Sequence, residues 1–138
     1  MRTEESAKNL RPKTLFEVAR RAREGETSGF AIKEFLDEYY AAPAADRPSM
    51  LEAEPDSVEL PDRWKTLVTD AYLSAVAEAL SYYEGRDAPR WVFQDRFFLD
   101  NPWFASPIDG MRPLLLMESP VFFRRRNLFV SRNALARA

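Results

Sequence analysis

The stretch "RWKTLVTDAYLSAVAEALSYYEG", running from Arg63 to Gly85, constrains the fold more than any other part of the chain. Trp64, Leu67, Val68, Ala71, Tyr72, Ala75, Ala79 and Tyr83 follow helical spacing, and Leu73, Val76 and Leu80 widen the apolar face. A face that broad predicts a central helix packed on more than one side and stopped at Gly85. Around such a spine, 138 residues suffice for one compact core. The expected fold is mainly α, a single domain over 1–138 with about four to six helices.

Shorter patterns supply the other helices. In "KTLFEVARRAREGE", Thr14 stands three residues before Glu17, the capping-box spacing, so a helix is expected from Leu15 to Glu24, ended by Gly25. In "GFAIKEFLDEYY", Ile32, Phe35, Leu36, Tyr39 and Tyr40 share one face and predict a helix from Ser28 to Ala42. Residues 43–61 carry Pro43, Pro48, Pro55 and Pro61 and read as a connector, with one short turn or helix at Ser49 to Glu54. Residues 1–13 are expected to be flexible. The segment "APRWVFQDRFFLDNPWFASPIDGMRP" crowds Trp91, Phe93, Phe97, Phe98, Trp103 and Phe104 among prolines, which predicts an irregular aromatic plug against the helices. "PLLLMESP" allows a short helix before Pro120. The basic tail, 118–138, continues as a helix or holds a short strand at Leu128 to Val130, followed by a turn from Ser131; a hairpin through that strand is the main structural alternative.

Composition removes much familiar chemistry. With no cysteine and no histidine, disulfides, the usual zinc sites and the commonest general base are unavailable. Glycines stand only at 25, 29, 85 and 110, so no phosphate-binding glycine loop and no nucleophile elbow can be written. Asp95, Asp100 and Asp109 could hold Mg²⁺ or act as acid and base, yet no D-x-D or EF-hand spacing accompanies them. Solvated or paired acids are the plainer reading. No run of about 18 apolar residues suggests a membrane span or a secretion signal, and the expected location is the cytoplasm.

Charge is unevenly spread. Residues 1–25 carry +3, residues 26–110 carry −10 and residues 111–138 carry +5, within a net −2. The tail's charge centres on "ESPVFFRRRNLFV", where Arg124, Arg125 and Arg126 lie between Phe122/Phe123 and Leu128/Phe129/Val130. Two readings stay open. The arginines and rings contact phosphates and bases or engage an acidic cleft on a partner; or the rings enter the core while the arginines meet the chain's own acids and helix-end carbonyls. An acidic total with a pI near 5.3 favours a protein over nucleic acid as partner. "TLFEVARRAR" is only loosely like the start of a helix-turn-helix, and an amphipathic surface helix accounts for it.

The ordered set "FLDEYY", "PRW", "FLDNPWF" and "LLLMESPVFFRRRNLFVSRNALARA" resembles a group of small bacterial proteins that share F-L-D-x-x-Y, P-x-W, P-W-F and an E-S-P-x-x-F-R-R-R-N-x-F-V ending. The resemblance covers about residues 30–138. Members of that group are encoded beside proteins similar to toxin-type nucleotidyltransferases, which implies a toxin–antitoxin pair with this chain as antitoxin. The resemblance carries over no catalytic residue. It implies a tail that enters an acidic, Mg²⁺-holding cleft, with arginines on carboxylates and Phe129 or Trp103 as desolvated anchors.

The expected function is therefore a non-enzymatic protein-binding module, an antitoxin neutralising a nucleotidyltransferase-like toxin by direct contact. Its expected contact residues are Trp103, Phe122, Phe123, Arg124, Arg125, Arg126, Asn127 and Phe129, with no catalytic residue, metal or cofactor. The alternative is a DNA-binding regulator of its own operon.

Overall fold

The computed structural model describes residues 11–58, 63–106 and 109–137. The expected flexible start lies outside them over residues 1–10, as do residues 59–61 of the expected connector. The chain is mainly α. Its contacts cluster into two compact units, one up to Asp56 together with Arg137, the other from Ser57 to Ala136. None of the described helices is long and apolar enough to cross a membrane.

The first unit is built on α1 (Leu15–Arg23), α2 (Ser28–Ala41) and α3 (Arg47–Glu52). Thr14 caps α1 as its spacing predicts, its Oγ1 accepting from Glu17 N–H at 3.1 Å. Gly25, at φ +106°, lets the chain leave α1 by a left-handed turn in which Glu26 N–H donates to Arg21 O at 2.9 Å and Gly25 N–H to Ala22 O at 3.1 Å. Leu15, Val18, Ala19 and Ala22 of α1 are buried, as are Ile32, Phe35, Leu36 and Tyr39 of α2. Tyr40, expected on that apolar face, is exposed instead. It is one residue beyond Tyr39, and one residue turns a helix by about 100°.

The proline-rich stretch holds more regular structure than a connector. A 3₁₀ turn at Ala44–Asp46 leads into α3, which starts at Arg47 rather than Ser49 and buries Met50 and Leu51. Pro48 fits because it stands in the first turn, where its missing N–H removes no helical bond. Arg47 reaches back over the end of α2, donating to Tyr39 O at 3.0 Å and Tyr40 O at 2.9 Å, which satisfies carbonyls that a helix end leaves open.

The second unit centres on α4 (Arg63–Tyr83), the expected spine. From Asp70 to Ser81 it is buried nearly all round. Ala71, Leu73, Ala75, Val76, Ala77, Ala79 and Leu80 supply the apolar surface. Tyr83, expected on the buried face, lies 60% exposed, because the helix outruns its packing in the last turn. Gly85, at φ +70°, ends it with the same left-handed exit: Arg86 N–H donates to Ser81 O at 2.9 Å and Gly85 N–H to Tyr82 O at 3.0 Å.

The aromatic segment folds as two 3₁₀ turns, Arg90–Phe93 and Asp95–Phe97, against α4. Trp91 and Phe97 pack edge to face at 5.6 Å and are buried. Phe93, expected in the plug, is half exposed. Then come β1 (Trp103–Phe104), α5 (Arg112–Glu118), α6 (Val121–Arg124) and β2 (Leu128–Phe129). The strand in the tail is present, but it pairs in parallel with β1, Trp103 beside Leu128 and Phe104 beside Phe129, rather than forming a hairpin. A parallel pair needs a crossover, and α5 and α6 provide it. Buried Ser119 secures the return by donating to Leu128 O at 3.0 Å and accepting from Val130 N–H at 3.3 Å.

Candidate functional site

The surface of interest begins inside the second unit. Asp70, Ser74 and Glu78 recur every four residues along α4, so they form one polar line down its mostly apolar buried stretch, and all three are buried. Buried acids need partners. Asp70 accepts from Val58 N–H at 3.1 Å and stands 3.5 Å from the Arg96 guanidinium. Burial raises the Asp70 carboxyl above the ordinary range, opposed by hydrogen bonds from Val58 and Ser57 and by the charge on Arg96.

Arg126 occupies the rest of the line. It is 0% exposed and donates to Ser74 Oγ at 2.7 Å, Glu78 Oε1 at 2.7 Å, Phe122 O at 2.8 Å and Val92 O at 2.7 Å, with its guanidinium 4.6 Å over the Phe98 ring. Burial lowers its pKa from the ordinary guanidinium value while Glu78 holds it up. Arginine keeps its proton in such a site, so the pair is ionic. The chain reaches this position because Asn127 adopts φ +64° and donates from its side chain to Leu99 O at 2.7 Å, turning α6 directly into β2. Asn tolerates the left-handed region better than most residues.

The arginine triplet therefore splits, which corrects the expectation that all three form one contact surface. Arg126 is a core residue, and Phe123 is fully buried beside Tyr72, with ring centroids 5.0 Å apart. Phe122 and Phe129 are nearly buried, Phe129 stacking on Phe104 at 5.1 Å. Trp103 and Asn127 are partly buried. Arg124 and Arg125 remain at the surface. Arg124 donates to Ser119 O at 2.7 Å, and Arg125, 48% exposed, reaches Glu78 Oε2 at 3.3 Å. Phe122 and Arg125 border one groove; the other expected residues do not line it.

That groove is an open recess of about 500 Å³ between the end of α4, the Arg90–Phe93 turn and α6. Its walls are Tyr82, Tyr83, Phe93 and Val121, which are 66%, 60%, 51% and 49% exposed. Phe122 forms the base, with Tyr82 and Tyr83 at 5.2 and 5.8 Å between centroids. At the rim, Arg125 lies over Phe122 at 5.8 Å, and Arg86 pairs with Glu84 at 2.7 Å beside exposed Asp87. Sequence reasoning missed Tyr82, Tyr83, Phe93, Val121 and Glu78. The available signal was the Tyr-Tyr pair at the end of the helix, where the apolar face outlasts the core.

Of the candidate acid residues, Asp95 and Asp100 are exposed, and the Asp109 side chain lies outside the described atoms. Among the described residues no group of three or more acids gathers to hold a metal ion. No family model, curated protein or solved structure matches the chain, so the site is read from its own geometry.

Proposed function

We propose that this protein is a non-enzymatic protein-binding module of the cytoplasm, an antitoxin that neutralises a nucleotidyltransferase-like toxin by direct contact. The observation that supports the reading is the groove at the end of α4, where three aromatic rings and a valine stand about half exposed or more around one recess. Large apolar side chains grouped in that way mark interaction surfaces in soluble proteins, and tyrosine is enriched where binding energy concentrates. Arg124 and Arg125 are the two members of the triplet left exposed, which supports contact through them, and the tail motif points to that partner by resemblance.

The test is co-expression with a nucleotidyltransferase-like protein encoded beside a member of the resembling group. The expected result is a co-purifying complex and restored growth, both weakened by Tyr82→Ser with Tyr83→Ser. Binding to a DNA duplex that falls steeply between low and moderate salt, with no effect on the toxin, would transfer the function to an operon regulator.

A further inference from the structure

We infer that the groove takes an acidic, apolar segment of the partner protein, with a carboxylate on Arg125 and a bulky apolar side chain between Tyr82, Tyr83 and Phe93. The inference rests on the protein-binding reading and adds the chemistry of the bound segment.

Glu78 is outnumbered by the cations around it. One carboxylate faces two guanidinium groups, Arg126 on Oε1 at 2.7 Å and Arg125 on Oε2 at 3.3 Å, so this corner carries one positive charge in excess. The excess resides on Arg125. Arg126 is sealed in the core with four acceptors, whereas Arg125 is half exposed at the rim of the groove. A guanidinium bonded to one carboxylate oxygen keeps further N–H donors for a second acceptor, and carboxylate matches its fork.

The opposite rim adds no net charge of that sign. Arg86 is bonded to Glu84 and stands beside Asp87, so carboxylates already accompany the cation of that side. A polyanion such as nucleic acid, needing several phosphates accommodated at once, meets both Glu78 and Asp87 in the lining of one recess. A single carboxylate at the Arg125 corner shares it with Glu78 alone, whose charge Arg126 offsets from the core side. The space between the rings is apolar, and its volume falls within the roughly 300–1,000 Å³ of ordinary binding clefts. Charge complementarity at one corner and the rings of Tyr82, Tyr83 and Phe93 beside it specify Asp or Glu close in sequence to Leu, Ile, Phe or Trp.

Short random peptides displayed on phage and selected against the full chain test this chemistry. The enriched sequences are expected to place Asp or Glu beside a large apolar residue. A synthetic peptide of the winning sequence should bind about tenfold more weakly when its acid becomes the amide, and should be insensitive to that change on the Arg125→Gln variant. Tyr83→Ser should weaken it by a similar factor. Both substitutions are at exposed positions, and unchanged thermal melting checks that the fold persists.

Failure to enrich any peptide, enrichment of acid-free sequences, an equal amide penalty with and without Arg125, or competition by a short RNA strand would each overturn the inference. Toxin neutralisation separates the two claims. If Arg125→Gln and Tyr83→Ser neutralise like the unaltered chain, the groove is not the docking site and the antitoxin reading survives. If acidic peptides bind as described but the toxin is not neutralised, the groove chemistry stands and the antitoxin reading falls.

Discussion

Replacing Arg126 by methionine tests the account of the triplet most directly. The side chain keeps most of its apolar volume, so the loss is mainly polar. Four hydrogen bonds of 2.7–2.8 Å disappear together with the contact to the Phe98 ring. Ser74 still donates to Ala71 O at 2.8 Å, so its hydroxyl is not stranded. Val92 O and Phe122 O lose a charged donor in the interior, and orphaned buried acceptors cost about 1–3 kcal/mol each. Glu78 keeps only Arg125, half exposed and at 3.3 Å. Breaking a buried ion pair by removing one partner typically costs about 3–5 kcal/mol, and the remaining contact to Arg125 places this case toward the lower end. Against a total stability of about 5–15 kcal/mol, the loss is large.

All three tryptophans of the sequence belong to the second unit, so urea unfolding followed by tryptophan fluorescence reports on the part that holds Arg126. With a slope of about 2 kcal/mol/M, loss of the pair alone should lower the midpoint by about 1.5–2 M, and the orphaned carbonyls add to that fall. Glu78→Leu alone strands the cation and should cost a comparable amount. The double variant strands neither charge, and should lose at least about 1 kcal/mol less than the two single losses combined. A midpoint shift equivalent to less than about 1 kcal/mol for Arg126→Met, or strict additivity in the double variant, would refute the buried-pair reasoning.

Other perturbations have separable signatures. Thr14→Ala removes the cap of α1 and should cost about 1 kcal/mol in equilibrium unfolding, with Thr14→Asp close to neutral. Asn127→Gly keeps access to φ +64° but loses the bond to Leu99 O, so it should be destabilising by about 1 kcal/mol, and Asn127→Val by more, because a β-branched residue resists that backbone region. Asp70 and Asp37 should respond to acid with opposite sign. Burial raises the Asp70 carboxyl in the folded chain, so its stabilising contribution is fullest below the unfolded value near pH 4 and is lost as pH rises through the raised folded value; relative to Asp70→Asn, the unaltered chain should gain stability on acidification. Asp37 is held low by its hydrogen bonds from Arg137, so its contribution is present above pH 4 and is lost as pH falls through the lowered value; relative to Asp37→Asn, the unaltered chain should lose stability on acidification. Urea midpoints from pH 3 to pH 7 distinguish the two, and matching signs would contradict the burial argument.

The helices were legible because their information is local. Apolar spacing located α1, α2 and α4, and the two left-handed exits at Gly25 and Gly85 were readable from glycine placement alone. What the sequence did not reveal depends on contacts made over long separations. The parallel pairing of β1 with β2 joins residues 25 positions apart through a crossover, and nothing in "NPWFAS" announces a strand. The fates of Arg124, Arg125 and Arg126 also follow from tertiary placement. Successive residues leaving a short helix point in different directions: the second reaches Glu78 from the surface, and only the third is buried among the acceptors of α4 and the Arg90–Phe93 turn.

One pattern joins the readable and unreadable parts. A helix whose apolar face extends around most of its circumference still carries Asp70, Ser74 and Glu78 in a single line, and a line of polar groups inside a core has to be met by donors from elsewhere in the chain. Arg96 meets the first and Arg126 the other two. Apolar packing alone would let the segments after α4 slide along it, since hydrophobic contact is nondirectional. Two arginines bonded at fixed heights on the helix remove that freedom, and the second of them brings α6 and Arg125 to the end of α4 where Tyr82 and Tyr83 emerge. The core arginine and the exposed one thus serve a shared geometry: Arg126 sets where the tail lies, and the groove with its half-exposed cation exists only because the tail lies there.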